Sequence, residues 1–200
     1  MSKAQKTKEK ILRQAAELFN KKGYAGSSMS DLMRATGLQK GGLYNHFKSK
    51  NELALEAFDF ACDCINQRFL EVIKGKNNCF EQLQALVSIY LSFIEEPPIL
   101  GGCPILNTAI ESDDAYPALR ERAQQAMNNW RTLICQIIER GIIEGEITSK
   151  VEADVVATII ISTIEGSLMM TKLYGDPIHM QRANEHLSKY LESLLVVESS

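Results

Sequence analysis

Apolar residues recur along this chain at three- and four-residue intervals, and nowhere does a two-residue alternation persist. That period turns one side of a helix toward a core, so the expected fold class is all-α. The first stripe, Ile11, Ala15, Leu18 and Phe19, has Thr7 as its expected cap and ends at Lys22-Gly23. A short second helix is expected over Asp31 to Ala35, started by Ser28 or Ser30 and broken at Gly37. A third should run from Lys40 to Phe47. Ser49 and Glu52 have the spacing of a capping box and open a long helix, Lys50 to Ile73, with no Gly or Pro inside it. Beyond the loop Lys74-Gly75-Lys76-Asn77-Asn78, helices are expected over residues 80–94, 104–111, 117–144, 151–174 and 178–197. About nine helices result. They divide into an N-terminal three-helix module, residues 1–50, which continues into the linking helix 50–73, and a larger helical domain, 51–200.

Two short helices joined by a tight glycine-containing turn form a helix-turn-helix, whose second helix lies in the DNA major groove. Its core should hold Leu12, Ala16, Phe19, Leu32, Ala35, Leu38, Leu43, Phe47 and Leu53. That leaves Gln39, Lys40, Gly42, Tyr44, Asn45 and His46 outward on the second helix. Lys40 suits a phosphate or a guanine edge, and Gln39 and Asn45 suit base edges, adenine best. Tyr44 and His46 can donate to phosphate oxygens, and Gly41 and Gly42 let the backbone approach closely. Ser28 and Lys50 stand at the starts of flanking helices, where backbone N–H groups also favour phosphate.

Charge strengthens this reading. The whole chain carries a formal −3, which by itself does not suggest a nucleic-acid partner. Residues 1–50, however, hold eleven Lys/Arg against three Asp/Glu, a net +8, while residues 51–200 hold eleven against twenty-two, a net −11. The basic charge is therefore confined to the module that carries the helix-turn-helix.

Lys40-Gly41-Gly42-Leu43-Tyr44-Asn45-His46-Phe47-Lys48-Ser49-Lys50 resembles the "K-G-x-L-Y-x-H-F-x-x-K" stretch of the tetracycline-repressor (TetR) family of regulators. Ala35-Thr36-Gly37-Leu38 and the helix end from Phe19 to Gly23 are similar to that family as well, so the likeness spans residues 7–60. Gly102-Cys103-Pro104 also resembles a feature of some members. One departure is Gln39, which stands where Ser or Thr usually caps the recognition helix. The resemblance implies a repressor that binds palindromic double-stranded operator DNA as a homodimer and is released by a small-molecule effector. The alternative is a helical DNA-binding factor that takes no ligand.

The resemblance also implies an effector pocket in the C-terminal domain. Tyr90, Phe93, Cys103, Met127, Trp130, Ile134, Glu165 and Met169 are its candidate lining, although bulky residues at helical spacing equally suit plain core, and Cys103 an inert thiol. The last two helices have the pattern of a dimer face: Ile159, Thr163 and Gly166 along one, Leu187, Tyr190, Leu191 and Leu194 along the other. Two such helices from each of two chains can form an intermolecular four-helix bundle.

Other classes find little support. Five cysteines, Cys62, Cys64, Cys79, Cys103 and Cys135, lack framework spacing and read as free thiols of a reducing compartment. No metal-ligand set, nucleophile–base pair or phosphate-cradling loop is present, so neither a cofactor nor an enzyme activity is expected. No apolar run follows the basic N-terminus, and the run Val155 to Ile164 is too short to span a bilayer. The expected location is the cytoplasm, without a membrane partner.

Overall fold

The computed structural model describes residues 2–112 and 115–196. Among them are nine helices, and the only strand-like pairing is an isolated antiparallel bridge between Ile147 and Leu195. The helices are α1 (Lys3–Lys22), α2 (Met29–Thr36), α3 (Lys40–Tyr44), α4 (Lys50–Ile73), α5 (Cys79–Glu95), α6 (Pro104–Ser112), α7 (Pro117–Ile143), α8 (Ala153–Tyr174) and α9 (Ile178–Glu192). The all-α class stands.

Several ends differ from the sequence expectation, each for a local reason. Helix α1 starts a turn before Thr7, because Ser2 and Gln5 form a reciprocal capping box. Helix α2 is capped by Ser28 and not Ser30. Ser28 Oγ accepts from the Asp31 N–H, and the Asp31 carboxylate accepts from the Ser28 N–H. Gly37 closes α2 in the left-handed region at φ 69°. Helix α3 stops at Tyr44; residues 45–47 continue as hydrogen-bonded turn, with the His46 and Phe47 N–H groups both donating to Leu43 O. At the start of α4, Ser49 Oγ accepts from the Glu52 N–H as its spacing predicts, but the Glu52 carboxylate accepts from Lys48 N–H and not from Ser49. Helix α9 ends at Glu192, well short of the expected 197. The chain there turns so that Thr148 N–H donates to Leu194 O and Val196 N–H to Glu146 O. Val197 itself lies outside the described residues.

The chain separates into two compact units: Met1–Asn66 with Pro98–Ala126, and Gln67–Pro97 with Met127–Ser200. The first is built on a core of Ile11, Ala15, Ala16, Leu32, Leu43, Phe47, Leu53, Ala57, Ala61 and Ile99. Eight of these ten lie in α1 through α4, and Phe47 in the turn between α3 and α4. Ile99 joins them from the segment before α6, which is how a stretch distant in sequence enters this unit.

In the second unit α9 packs on α5 and α8. Trp130 stacks on Phe69 and Tyr90, which tilt against each other, all with centroids 5.9 Å apart, and Phe93 meets Tyr90 edge-on at 5.3 Å. Helix α8 has 22 residues and, at a mean hydropathy of 1.5 in its most apolar window, is long and apolar enough to cross a membrane by composition alone. Its buried face, including Val156, Ile160, Ile161 and Ile164, belongs to the core of the unit.

Candidate nucleic-acid interface

Leu43 and Phe47, 2% and 3% exposed, anchor the recognition segment in the core of the first unit. Their burial fixes which way the rest of the segment faces. Gln39, Lys40 and Gly41 are exposed before buried Leu43 and Tyr44 and Asn45 after it, while Gly42 and His46 are half-buried. Lys40 Nζ lies 5.9 Å from the Tyr44 ring centroid, so the cation and the phenol stand side by side on the outer face. No side-chain bond caps α3 at Gln39, as the missing Ser or Thr implied. The Gln39 amide is therefore not engaged at the helix start.

Two of the expected phosphate contacts are differently placed. Ser28 Oγ donates to Asp31 at 2.7 Å, and Ser28 N–H donates to the same carboxylate oxygen at 3.0 Å. An anion supplied by the chain thus already sits at the start of α2. Ser28, its own N–H and the Lys22 ammonium 3.0 Å away hold the Asp31 carboxyl well below the usual carboxylate range. Lys50 is likewise turned inward. Its Nζ donates to Tyr24 O at 2.6 Å and lies 4.0 Å from the Tyr24 ring centroid. Burial lowers its pKa, while the nearby Glu111 charge opposes that shift.

Tyr24 leads to a set of residues that no sequence pattern singles out. The turn after α1 is held by α6: Glu111 accepts from the Tyr24 and Ala25 N–H groups at 2.8 Å each. One turn earlier, Asn20 Nδ2 donates to Leu100 O and Gly102 O, and Asn107 Nδ2 donates to Asn20 Oδ1 at 2.6 Å. Tyr24 also stacks edge-on against Tyr116 at 4.6 Å. These contacts join positions eighty or more residues apart, and no local pattern announces them.

The expected effector residues are dispersed. Tyr90, Trp130 and Ile134 are buried, and Tyr90, Phe93 and Trp130 belong to the aromatic stack, where they pack on each other. Met127 is half-buried, Glu165 is buried on α8, and Met169 is 51% exposed. Cys103 belongs to the other compact unit, where its sulfur accepts from the Leu106 N–H.

The expected dimer stripe is divided too. Leu187, Leu191 and Leu194 are 0%, 1% and 5% exposed, and so are core of their own protomer; Tyr190 is half-buried. The side of α9 that appeared free in the sequence is the side that α5 and α8 cover. Exposed apolar groups lie instead on α8, at Val155, Ile159, Met169, Met170, Leu173 and Tyr174, with Thr163 and Gly166 half-buried along the same helix.

One cluster has metal-ligand character. The sulfur of Cys79 and the carboxylates of Glu144 and Glu146 lie within 4.8 Å of one another. Arg140 Nε donates to that sulfur at 3.2 Å, so a guanidinium already supplies the positive charge.

An exposed basic and polar segment on a rigid helical core, with a helix-turn-helix presenting it, defines a DNA-binding regulator. Residues 11–57 match the family of bacterial regulatory proteins of the tetR type, and residues 79–187 match the tetracyclin repressor-like C-terminal domain. The chain belongs to the TetR family of transcriptional regulators. It is similar to a TetR transcriptional regulator from Chloroflexus aurantiacus, with 44% identity, 98% of each chain covered and a TM-score of 0.92. The HTH-type transcriptional regulator LmrA of Bacillus subtilis is 27% identical over 170 residues, 82% of this chain and 86% of LmrA. A third likeness is one of fold: a cysteine mutant of the TetR family regulator CifR, complexed with 26-base-pair double-strand operator DNA, shares 20% identity over 92% of this chain and 94% of CifR, with a TM-score of 0.79.

Proposed function

We propose that this regulator is a cytoplasmic, homodimeric repressor of palindromic operators, released by a small-molecule effector and without catalytic activity of its own. The exposed run on α3 and its flanks carries the reading: Gln39 and Asn45 read base edges, while Lys40, Tyr44 and His46 hold phosphate. Lys50 acts one step back, bracing the turn at Tyr24. The dimer forms through α8, where Val155, Ile159, Met169 and Leu173 make an apolar strip on the protomer surface. A two-fold dimer presents two recognition helices about one DNA turn apart, roughly 34–36 Å.

Selection of bound sequences from a random duplex pool tests this. The expected product is an inverted repeat bound by two chains per site. Recovery of asymmetric sites bound by single chains would overturn the dimeric reading.

A further inference from the structure

The first unit carries an open-mouthed void of about 160 Å³, bounded by Tyr24, by Asn51, Ala54 and Leu55 of α4, and by Tyr116 and Leu119 at the start of α7, with the exposed Pro117 and Ala118 at its mouth. A second, of about 40 Å³, shares Tyr24, Ala54, Tyr116 and Leu119 with it and reaches Asn20, Asn107 and Glu111. The edge-on pair of Tyr24 and Tyr116 is the wall common to both. Mostly apolar concavities with a few convergent polar groups are the usual form of a small-molecule site.

We infer that this void beside the helix-turn-helix is an effector site for a small, neutral, single-ring aromatic molecule carrying one hydrogen-bonding substituent. Size sets the first limit: an apolar cavity of roughly 150 Å³ accommodates benzene. The walls set the second, since two tyrosine rings offer edges and faces to a flat ligand. Charge sets the third. No Asp, Glu, Lys, Arg or His lines the larger void, and Glu111, the acid that reaches the smaller one, already has the Lys50 ammonium near enough to feel its charge. The lining of the larger void thus offers no counter-charge to an ionic ligand. The substituent has the Tyr24 hydroxyl and Asn51 as partners, a pair that now bond to each other.

The site is coupled to DNA binding through a single residue. Tyr24 N–H is held by Glu111, its carbonyl by Lys50, and its ring by both Lys50 and Tyr116. Four residues later Ser28 caps α2. A molecule that displaces the Tyr24 ring moves the turn from which the helix-turn-helix begins. In the second unit, by contrast, Trp130 stacks on both Phe69 and Tyr90 with centroids 5.9 Å apart. This inference rests on effector release for its consequence but not for the site itself.

Phenol is the probe, and the full-length protein with ring-labelled tyrosine is the sample. Phenol should shift the Tyr24 and Tyr116 resonances saturably, in the millimolar range expected of so small a ligand. Ala118→Trp, at an exposed position lining the void, and Leu55→Trp should each abolish the shift while the protein stays folded; Trp130→Phe should leave it intact. Benzoate and benzylamine should bind at least tenfold more weakly. Saturable shifts that survive both filling variants, or no saturable shift at either ring, would overturn the site. Saturating phenol should also weaken binding to the selected duplex about fivefold or more. Binding of phenol with unchanged DNA affinity would keep the site and refute release by its ligand.

Discussion

At Gly41 and Gly42 the fold has room for larger residues. A Cβ at Gly41 would meet nothing within 4 Å, and one at Gly42 only the Leu38 side chain, at 3.6 Å or more. Both lie inside α3, where glycine costs about 0.5–1 kcal/mol relative to alanine. Gly41→Ala and Gly42→Ala should therefore raise the urea midpoint while weakening operator binding, as the added methyl meets DNA. Variants that are more stable and bind normally would remove the close-approach role. The two lysines divide differently. Lys40→Ala should lower the slope of log affinity against log salt by about one. Lys50→Ala should weaken binding and stability with the slope unchanged, because its charge is directed to Tyr24. Asp31 supplies a pH signature. Its folded-state pKa is depressed, so its contribution is present above the unfolded value near 4 and is lost as pH falls toward the folded one. Asp31→Asn should flatten the decline in stability as pH falls below about 4; an unchanged acid limb would show that the cap contributes nothing.

The elements of the DNA reader were legible in the sequence because their determinants are local. Capping residues, a left-handed glycine and a hydrophobic period act within one or two turns, and α2, the α3 start and all of α4 follow from them. What was not legible depends on a partner far along the chain. The Leu187, Leu191 and Leu194 stripe has the right period for a dimer seam, yet periodicity says only that one face is buried, not by what. Here α5 and α8 of the same protomer bury it. Lys50 had the position of a phosphate ligand until Tyr24 claimed it, and the α6 contacts to α1 had no sequence signal. Those contacts are tested by Glu111→Ala, which leaves the Tyr24 and Ala25 N–H groups without their acceptor. The loss should be about 1–3 kcal/mol by urea denaturation. A smaller loss in a protein that still binds DNA normally would make α6 a bystander to the reader.

For the whole molecule, the burial pattern separates two kinds of apolar position that look alike in the sequence. Ile159→Glu places a charge on the exposed α8 strip and should give a folded monomer by light scattering, with DNA affinity reduced. Leu191→Glu buries a charge among α5, α8 and α9 and should abolish the cooperative thermal transition instead. A folded monomer from Leu191→Glu, or an intact dimer from Ile159→Glu, would move the interface away from α8.

The unit that reads DNA is discontinuous in sequence, since residues 98–126 belong to it although residues 67–97 do not. Synthesis from the N-terminus delivers α1 through α4 early, but Ile99, Asn107 and Glu111 only after α5 has emerged. The nascent helix-turn-helix thus waits for about fifty to sixty further residues, from Lys50 to Ile99 and Glu111, before its last core residue and the acceptors for its turn arrive. The operator-reading surface and the segment that holds it are in this sense synthesised as one commitment, so premature termination within α5 leaves a basic peptide without its finished support.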